Sequence, residues 1–206
     1  MEKNAPQWYA LKVFYNKVFE MEDLLCAMGM ETFLAVEKVQ LKGAEHVRAR
    51  KIISKAEPET DLRFVLEGPV IYRRKPCVNS LIFVKTDPDG IRRVDEVFRE
   101  GGSQGRPRGF IYRSAGNKTF CEIPSSQMTA FRLVVESGNT GLEFFADDDI
   151  TRFRKGSKVR VKEGPFKGAE GYIKRIKRDR RLLVCIEGVI AVATSFIPPE
   201  CLETIS

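Results

Sequence analysis

The chain has 206 residues, 43% of them hydrophobic and 10% aromatic, enough for a real core in one domain or two and too apolar for a disordered tail protein. No apolar signal-type stretch follows the charges of residues 1–8 and no run of about 18 apolar residues occurs later, so neither secretion nor a membrane span is expected, and a cytoplasmic location is. Residues 1–150 hold 22 Lys and Arg against 22 Asp and Glu, whereas residues 151–206 hold 13 against 6, so the whole formal excess of +7 lies at the C-terminal end and favours polyanionic partners over a uniformly neutral surface.

Trp8 to Tyr15 (WYALKVFY) is a near-continuous apolar run of strand length and predicts a central strand covered on both faces. Asn16 can cap the next element, in which Val18, Met21, Leu25 and Met28 recur at helical spacing before Gly29, predicting a helix over residues 17–28. Thr32 to Leu41 reads as a second strand. From Lys42 to Pro69 polar residues dominate, compatible with a long hairpin or loop. The run Arg73-Arg74-Lys75 reads as a solvated loop. Leu81 to Val84 reads as another buried strand, and Asp87-Pro88 opens a helix with Ile91, Val94 and Phe98 on one face that ends before Gly101-Gly102.

Residues 101–109 are flexible by composition, Phe110 to Tyr112 offers a short strand, and Pro124-Ser125-Ser126 introduces a third helix with a stripe of Met128, Phe131 and Val135. The N-terminal domain, residues 1–137, is thus read as a sheet of about four strands with three helices. Gly138 to Ile150, with the acidic triplet Asp147-Asp148-Asp149, reads as a linker.

Periodicity then changes. Ser157 to Lys162 alternates, a turn follows at residues 163–168, and Gly171 to Ile176, Leu182 to Ile186, Val189 to Ala193 and Phe196 to Leu202 supply four more short strands. Five short strands over residues 151–206 predict a small curled barrel, because closure removes exposed strand edges. β-Branched residues and Gly164, Gly168, Gly171 and Gly188 argue that this segment is β rather than helical.

Chemistry-bearing patterns are sparse. The five cysteines are widely spaced with no CxxC pair, and His46, the single histidine, lies in a polar stretch, so neither a metal site nor a catalytic triad is expected and no cofactor or enzymatic activity is predicted. The turn Gly164-Pro165-Phe166-Lys167-Gly168 lacks the Gly-Lys-Ser/Thr ending of a phosphate loop. Phe166 within it is either a plug for the barrel mouth or a contact for a partner. Lys174 to Arg181 (KRIKRDRR) places Lys174, Arg175, Lys177, Arg178, Arg180 and Arg181 at a hairpin, where they could contact phosphate oxygens without reading bases or could simply solubilise the tip. No nucleotide-stacking surface rich in aromatics is evident beside it.

Ser157 to Ile176 with the basic hairpin resembles the KOW motif of ribosomal and elongation proteins. Together with the Trp8-Tyr9 start, the order of domains resembles the NusG family of transcription elongation factors. Residues 155–176, Val192 to Pro199 and Ile123 to Met128 are most similar to the UpxY-type specialised antiterminators of capsular polysaccharide operons, and the resemblance covers nearly the whole chain, strongly over residues 155–206 and weakly over 42–75. It implies an α+β architecture: a NusG-type mixed α/β sandwich followed by a five-stranded, SH3-like KOW barrel.

The resemblance also implies that the N-terminal domain binds the RNA polymerase clamp through an apolar surface including Tyr15, Pro76, Cys77, Val78 and Ser80, with Phe83 supporting it from the strand. Cys77-Val78-Asn79-Ser80 stands where the family has an aromatic-Pro-Gly-Tyr element. Phe166 and Ile173 are the positions implied to recruit a second factor, such as a small-subunit ribosomal protein or Rho, and the basic hairpin is placed to meet nascent RNA or non-template DNA. The competing expectations are a ribosome-associated or general RNA-binding KOW protein and a nucleic-acid-modifying enzyme that uses the barrel for targeting, against which the absence of an acid/base or metal cluster counts.

Overall fold

The computed structural model describes residues 5–54, 63–101, 106–114, 116, 119–139, 141–146, 157–176 and 178–205. It is a mixed α+β protein with several antiparallel sheets, and its contacts divide into two compact units: residues 11–85 with 89–110, and residues 1–10 with 86–88 and 111–206. No helix among the described residues is long and apolar enough to cross a membrane.

The unit formed by residues 11–85 and 89–110 starts within β1 (Gln7–Val13), whose Leu11 and Val13 are fully buried, and continues into α1 (Val18–Ala27). Lys17 rather than Asn16 stands at the helix start, because Asn16 is in the left-handed region at φ 56° and belongs to the preceding turn. Val18, Met21 and Leu25 of the predicted stripe are buried on α1, and Met28, half-buried, stands just past its end. The expected single strand over residues 32–41 is two: β2 (Glu31–Phe33) pairs with β6 (Leu81–Thr86), and β3 (Val36–Gln40) pairs with β5 (Val70–Pro76) in a different sheet. Leu34 and Ala35 are buried at the corner, where the Cys77 amide donates to the Ala35 carbonyl at 2.8 Å, so the apolar run continues while the pairing partner changes.

Residues 42–69, expected as hairpin or loop, instead contain helix α2 (Gly43–Ile53) and strand β4 (Phe64–Glu67), the latter at the end of the three-stranded sheet β3-β5-β4. Their core is small: Leu41, Ala49, Ile53 and Ile71, with Phe64 against them. Only Ala49 and Ile53 are buried on α2, too few to stamp a helical period on so polar a stretch. His46 is therefore a helical residue, with Nε2 3.2 Å from the Pro69 carbonyl oxygen.

Residues 73–75, expected as a solvated loop, lie within β5, and Arg74 makes a two-pronged ion pair with Glu22 of α1, both N–O distances 2.9 Å, while its guanidinium lies 5.4 Å from the Phe19 ring centroid. α3 (Pro88–Arg99) buries Ile91 and Val94. β7 (Gly109–Ile111) comes so close to β1 that a Cβ on Gly109 would strike the Lys12 carbonyl oxygen and lie 2.8 Å from the Phe98 ring, so glycine alone fits there. The sheet containing β1 has the order β2-β6-β1-β7, and β8 (Glu122–Ile123) also pairs with β1, Trp8 opposite Ile123.

In the other unit, α4 (Ser125–Glu136) buries Met128, Ala130, Phe131 and Val134, with Val135 of the expected stripe only half-buried. The residues after 156 form β10 (Lys158–Val161), β11 (Glu170–Ile176), β12 (Asp179–Ile186), β13 (Ile190–Phe196) and β14 (Leu202–Thr204), β-structured as their composition predicts. The sheet has six strands rather than five, in the order β14-β10-β11-β12-β13-β9, and among the described residues no pairing joins β14 to β9 to close it.

Its sixth strand is β9 (Glu143–Ala146), from residues read as linker: Phe144 faces Val192 and Phe145 faces Ala191 across the ladder. Two adjacent aromatics gain more by covering β13 than by joining a solvated connection. α4 packs against β12 and β13, Phe131 meets Phe144 edge-on at 6.4 Å, and the Glu187 amide donates to Gln127 Oε1 at 3.1 Å. α4 lies against β12 and β13, while Leu183, Ala191 and Ala193 bury together with Ile176 and Phe145, so Leu182 to Val184 and Ile190 to Ala193 are continuous buried runs instead of alternating ones. The acidic triplet Asp147 to Asp149 lies outside the described residues.

Candidate functional site: an exposed aromatic surface and a basic hairpin

The chain turns sharply where β1 ends. Tyr15 and Asn16 both adopt left-handed backbone, φ 60° and 56°, a conformation that costs a non-glycine residue about 1–2 kcal/mol. The turn throws two aromatic rings outward: Tyr15 is 74% exposed and Phe14 39%. Phe110, 44% exposed, joins them because the Phe14 amide donates to the Arg108 carbonyl at 2.8 Å and brings β7 alongside. The rings meet edge to face, Phe14 with Tyr15 at 6.3 Å and 75° and with Phe110 at 6.0 Å and 62°. Three contiguous exposed aromatics form an apolar patch of the kind that anchors protein partners. Their mutually inclined faces offer no parallel platform for stacked bases.

Of the other residues named for this surface, Ser80 is bonded beside the end of β1. The Val13 amide donates to the Ser80 carbonyl at 2.8 Å, which places the turn before β6 next to the end of β1; Pro76, Cys77, Val78 and Ser80 are each half-buried. Burial first, then the Glu37 carboxylate, pushes the Cys77 thiol up, so it stays protonated and serves as a small apolar group. Phe83 is 1% exposed and packs 6.2 Å from Phe33, a support beneath the surface rather than part of it. Phe14 and Phe110 were not singled out by sequence reading. The signal that could have found Phe14 is an aromatic doublet immediately before Asn, a residue that tolerates left-handed backbone.

On the C-terminal sheet, Phe166 is 3% exposed. Its turn is pinned by Gly168 N to Val161 O at 2.8 Å and by Ala169 N to Phe166 O at 2.9 Å, and the ring folds inward. The expectation of Phe166 as a partner contact is corrected, since its buried side chain offers no surface, and with no closing strand pair among the described residues it is a core residue beside the sheet rather than a plug in a barrel mouth. Ile173 is half-buried on β11. No side chain fits at Gly171 either, where a Cβ would press on the Leu183 carbonyl and let β11 ride no closer to β12.

The basic hairpin is formed by β11 and β12, with Lys174 opposite Arg181, Arg175 opposite Arg180 and Ile176 opposite Asp179. Arg175, Arg178 and Arg180 are exposed and Lys174 is half-buried, whereas Lys177 lies outside the described residues. Arg178, directly before β12, has φ 78°, a backbone conformation that favours glycine or asparagine. Arg181 departs from its expected role. It is 13% exposed, bonds Glu143 of β9 at 2.9 Å and lies 4.0 Å from Asp179, so it ties the hairpin base to β9 instead of projecting toward a ligand. A second surface network, Arg160 with Glu170 and Glu203, covers β10, β11 and β14; hydrogen bonding from Arg160 holds the Glu170 carboxyl below its ordinary value.

Among the described residues no group of three or more His, Cys, Asp or Glu side chains is placed to hold a metal ion. A scan against family models finds no match to the chain, and no curated protein matches it.

Proposed function

We propose that this chain is a non-catalytic, cytoplasmic transcription elongation and antitermination factor that binds the RNA polymerase clamp through the surface at the end of β1, and that its C-terminal sheet is a KOW-type, SH3-like module for a second factor or nucleic acid. The observation that carries the reading is the exposed Phe14–Tyr15–Phe110 cluster. Burial of these rings would supply the specific affinity that long-range charge alone does not. The cost of holding Tyr15 in left-handed backbone supports a functional use for its side chain, since a glycine there would relieve the turn. The family resemblance of the sequence supplies the identity of the partner. The test is retention of purified bacterial core RNA polymerase by the immobilised full-length chain; no retention at micromolar concentrations would end this reading and favour a ribosome-associated or general RNA-binding protein.

The hairpin completes the mechanism: while the aromatic surface holds the polymerase, Arg175, Arg178 and Arg180 contact phosphates of nascent RNA or the non-template strand. Replacing these three with Ser in the full chain should weaken binding to RNA by an amount similar across RNA sequences, and should flatten the plot of log affinity against log salt by about two units. Arg178→Gly should in addition raise the melting temperature, because the left-handed turn position no longer carries a Cβ. An unchanged salt slope in a fluorescence-anisotropy titration would reduce the hairpin to a solubilising tip.

A further inference from the structure

Helix α2 carries a cationic face that neither the aromatic surface nor the hairpin uses. Ala49 and Ile53 turn inward to Leu41 and Ile71, so positions 47, 48, 51 and 52 turn away. Arg48, Arg50 and Lys51 are exposed, Lys42 is exposed just before the helix, and Val47 and Ile52 on the outer face are 54% and 46% exposed. Across the neighbouring strands the cations are neutralised: Lys38 by Glu67 and Lys75 by Glu37 at 2.6 Å, Arg74 by Glu22 at 2.9 Å, and Arg73 by Glu45 at 3.7 Å. Glu45 is the only acid of α2, and Arg73 takes it. Among the described residues no carboxylate pairs with Arg48, Arg50 or Lys51, and Glu57, Glu59 and Asp61, which follow in the sequence, lie outside the described residues.

Helix electrostatics explain part of this pattern. Arg50 and Lys51 in the last turn complement the negative end of the helix dipole, worth about 0.3–1 kcal/mol. The dipole does not explain Arg48 in the middle, and it disfavours Lys42 at the start. A solubilising face would mix signs, as β3 and β5 do. Insertion into a lipid interface needs a broad apolar face with Trp, Phe or Leu, and this one has only Val47 and Ile52. Arg48 and Lys51, three apart, are neighbours on the helix surface with Arg50 on its flank, and cations with no partner carboxylate among the described residues match a repeating polyanion.

We infer that α2, through Arg48, Arg50 and Lys51 with Lys42, binds the phosphate backbone of a nucleic acid without reading its sequence, as a contact separate from the hairpin of β11 and β12. The inference does not depend on polymerase binding.

The full-length chain and its Arg48→Ser, Arg50→Ser, Lys51→Ser triple variant are titrated by fluorescence anisotropy against three probes: a DNA duplex, a DNA single strand and an RNA single strand, each of mixed sequence. The variant is expected to bind about tenfold or more weakly at low salt, with a salt slope shallower by about two units. Equal loss on all probes marks the shared phosphate chemistry, and loss confined to one identifies the source. Because Arg50 and Lys51 also support the helix end, Arg48→Ser alone is measured beside it; this change leaves the last turn intact and should remove about one unit of slope on duplex DNA. The inference is overturned if a folded triple variant keeps wild-type affinity and slope on every probe. It is equally overturned if the variant loses binding only to anionic vesicles or to an acidic peptide while its nucleic-acid titrations are unchanged.

Discussion

Tyr15→Ala in the full-length chain is expected to lower affinity for core RNA polymerase by about 2 kcal/mol or more, roughly 30-fold, while leaving the melting temperature almost unmoved. The two halves of the expectation have different origins. An aromatic anchor that fills a partner's pocket is worth this much because its whole surface is dried on binding, whereas in the free protein Tyr15 is 74% exposed and contributes little burial to lose. Tyr15→Gly sharpens the test, for the same loss of binding should come with a melting temperature raised by a few degrees, glycine being at ease at φ 60°. A residue that only stabilises the fold would give the opposite sign. Phe14→Ser, at the centre of the cluster, should reproduce the binding loss. Biolayer interferometry with core polymerase, paired with thermal melts of each variant, reads both quantities; folded variants that bind as tightly as the wild type would place the interface elsewhere.

The largest stability effect is expected at the ion pair between α1 and β5. Glu22 is 7% exposed in its side chain and Arg74 16%, and the two meet through both guanidinium nitrogens. Arg74→Ala strands a buried carboxylate and should destabilise by about 3–5 kcal/mol, lowering the melting temperature by 10 °C or so. The pair itself need not be strongly stabilising, because removing both ions from water costs nearly as much as their attraction returns. The double change Glu22→Leu with Arg74→Met should therefore recover most of the loss. Urea denaturation of the two single variants and the double variant closes the cycle. A double variant as unstable as Arg74→Ala would show that the Phe19 contact and packing, rather than the stranded charge, set the cost.

What could be read from the sequence depended on how strongly burial stamps a period on a segment. β1, α1, β6 and α3 stand where their apolar spacing puts them, because each turns a dense stripe or run to a core. α2 was hidden because its two core contacts, Ala49 and Ile53, are diluted by arginines that face solvent. β9 was hidden by its surroundings: Gly, Asn and Asp on either side give it the composition of a connection, and only tertiary pairing with β13 makes Phe144 and Phe145 a strand. Exposure is what sequence conveys least. Tyr15 was legible as a surface residue only through resemblance, Phe14 and Phe110 were lost among apolar neighbours, and Phe166 turned inward where a glycine turn allowed either direction. Arg181 shows the same limit for charge, since six adjacent cations look alike until one of them finds Glu143.

The pairing of β9 with β13 has a practical consequence for anyone dissecting or recombining this chain. A cut at residue 150, the boundary composition suggests, would separate β9 from its partner and bare Ile190 to Ala193 as an apolar rim with open amides and carbonyls. The excised 151–206 piece would also lose Glu143, the counter-ion of Arg181. Such a piece invites strand exchange with its own copies, and a clumsy graft of it onto another scaffold would fail by self-association, however well its remaining strands pair. The transferable cassette has to begin before Glu143 and carry the helix that covers β12 and β13.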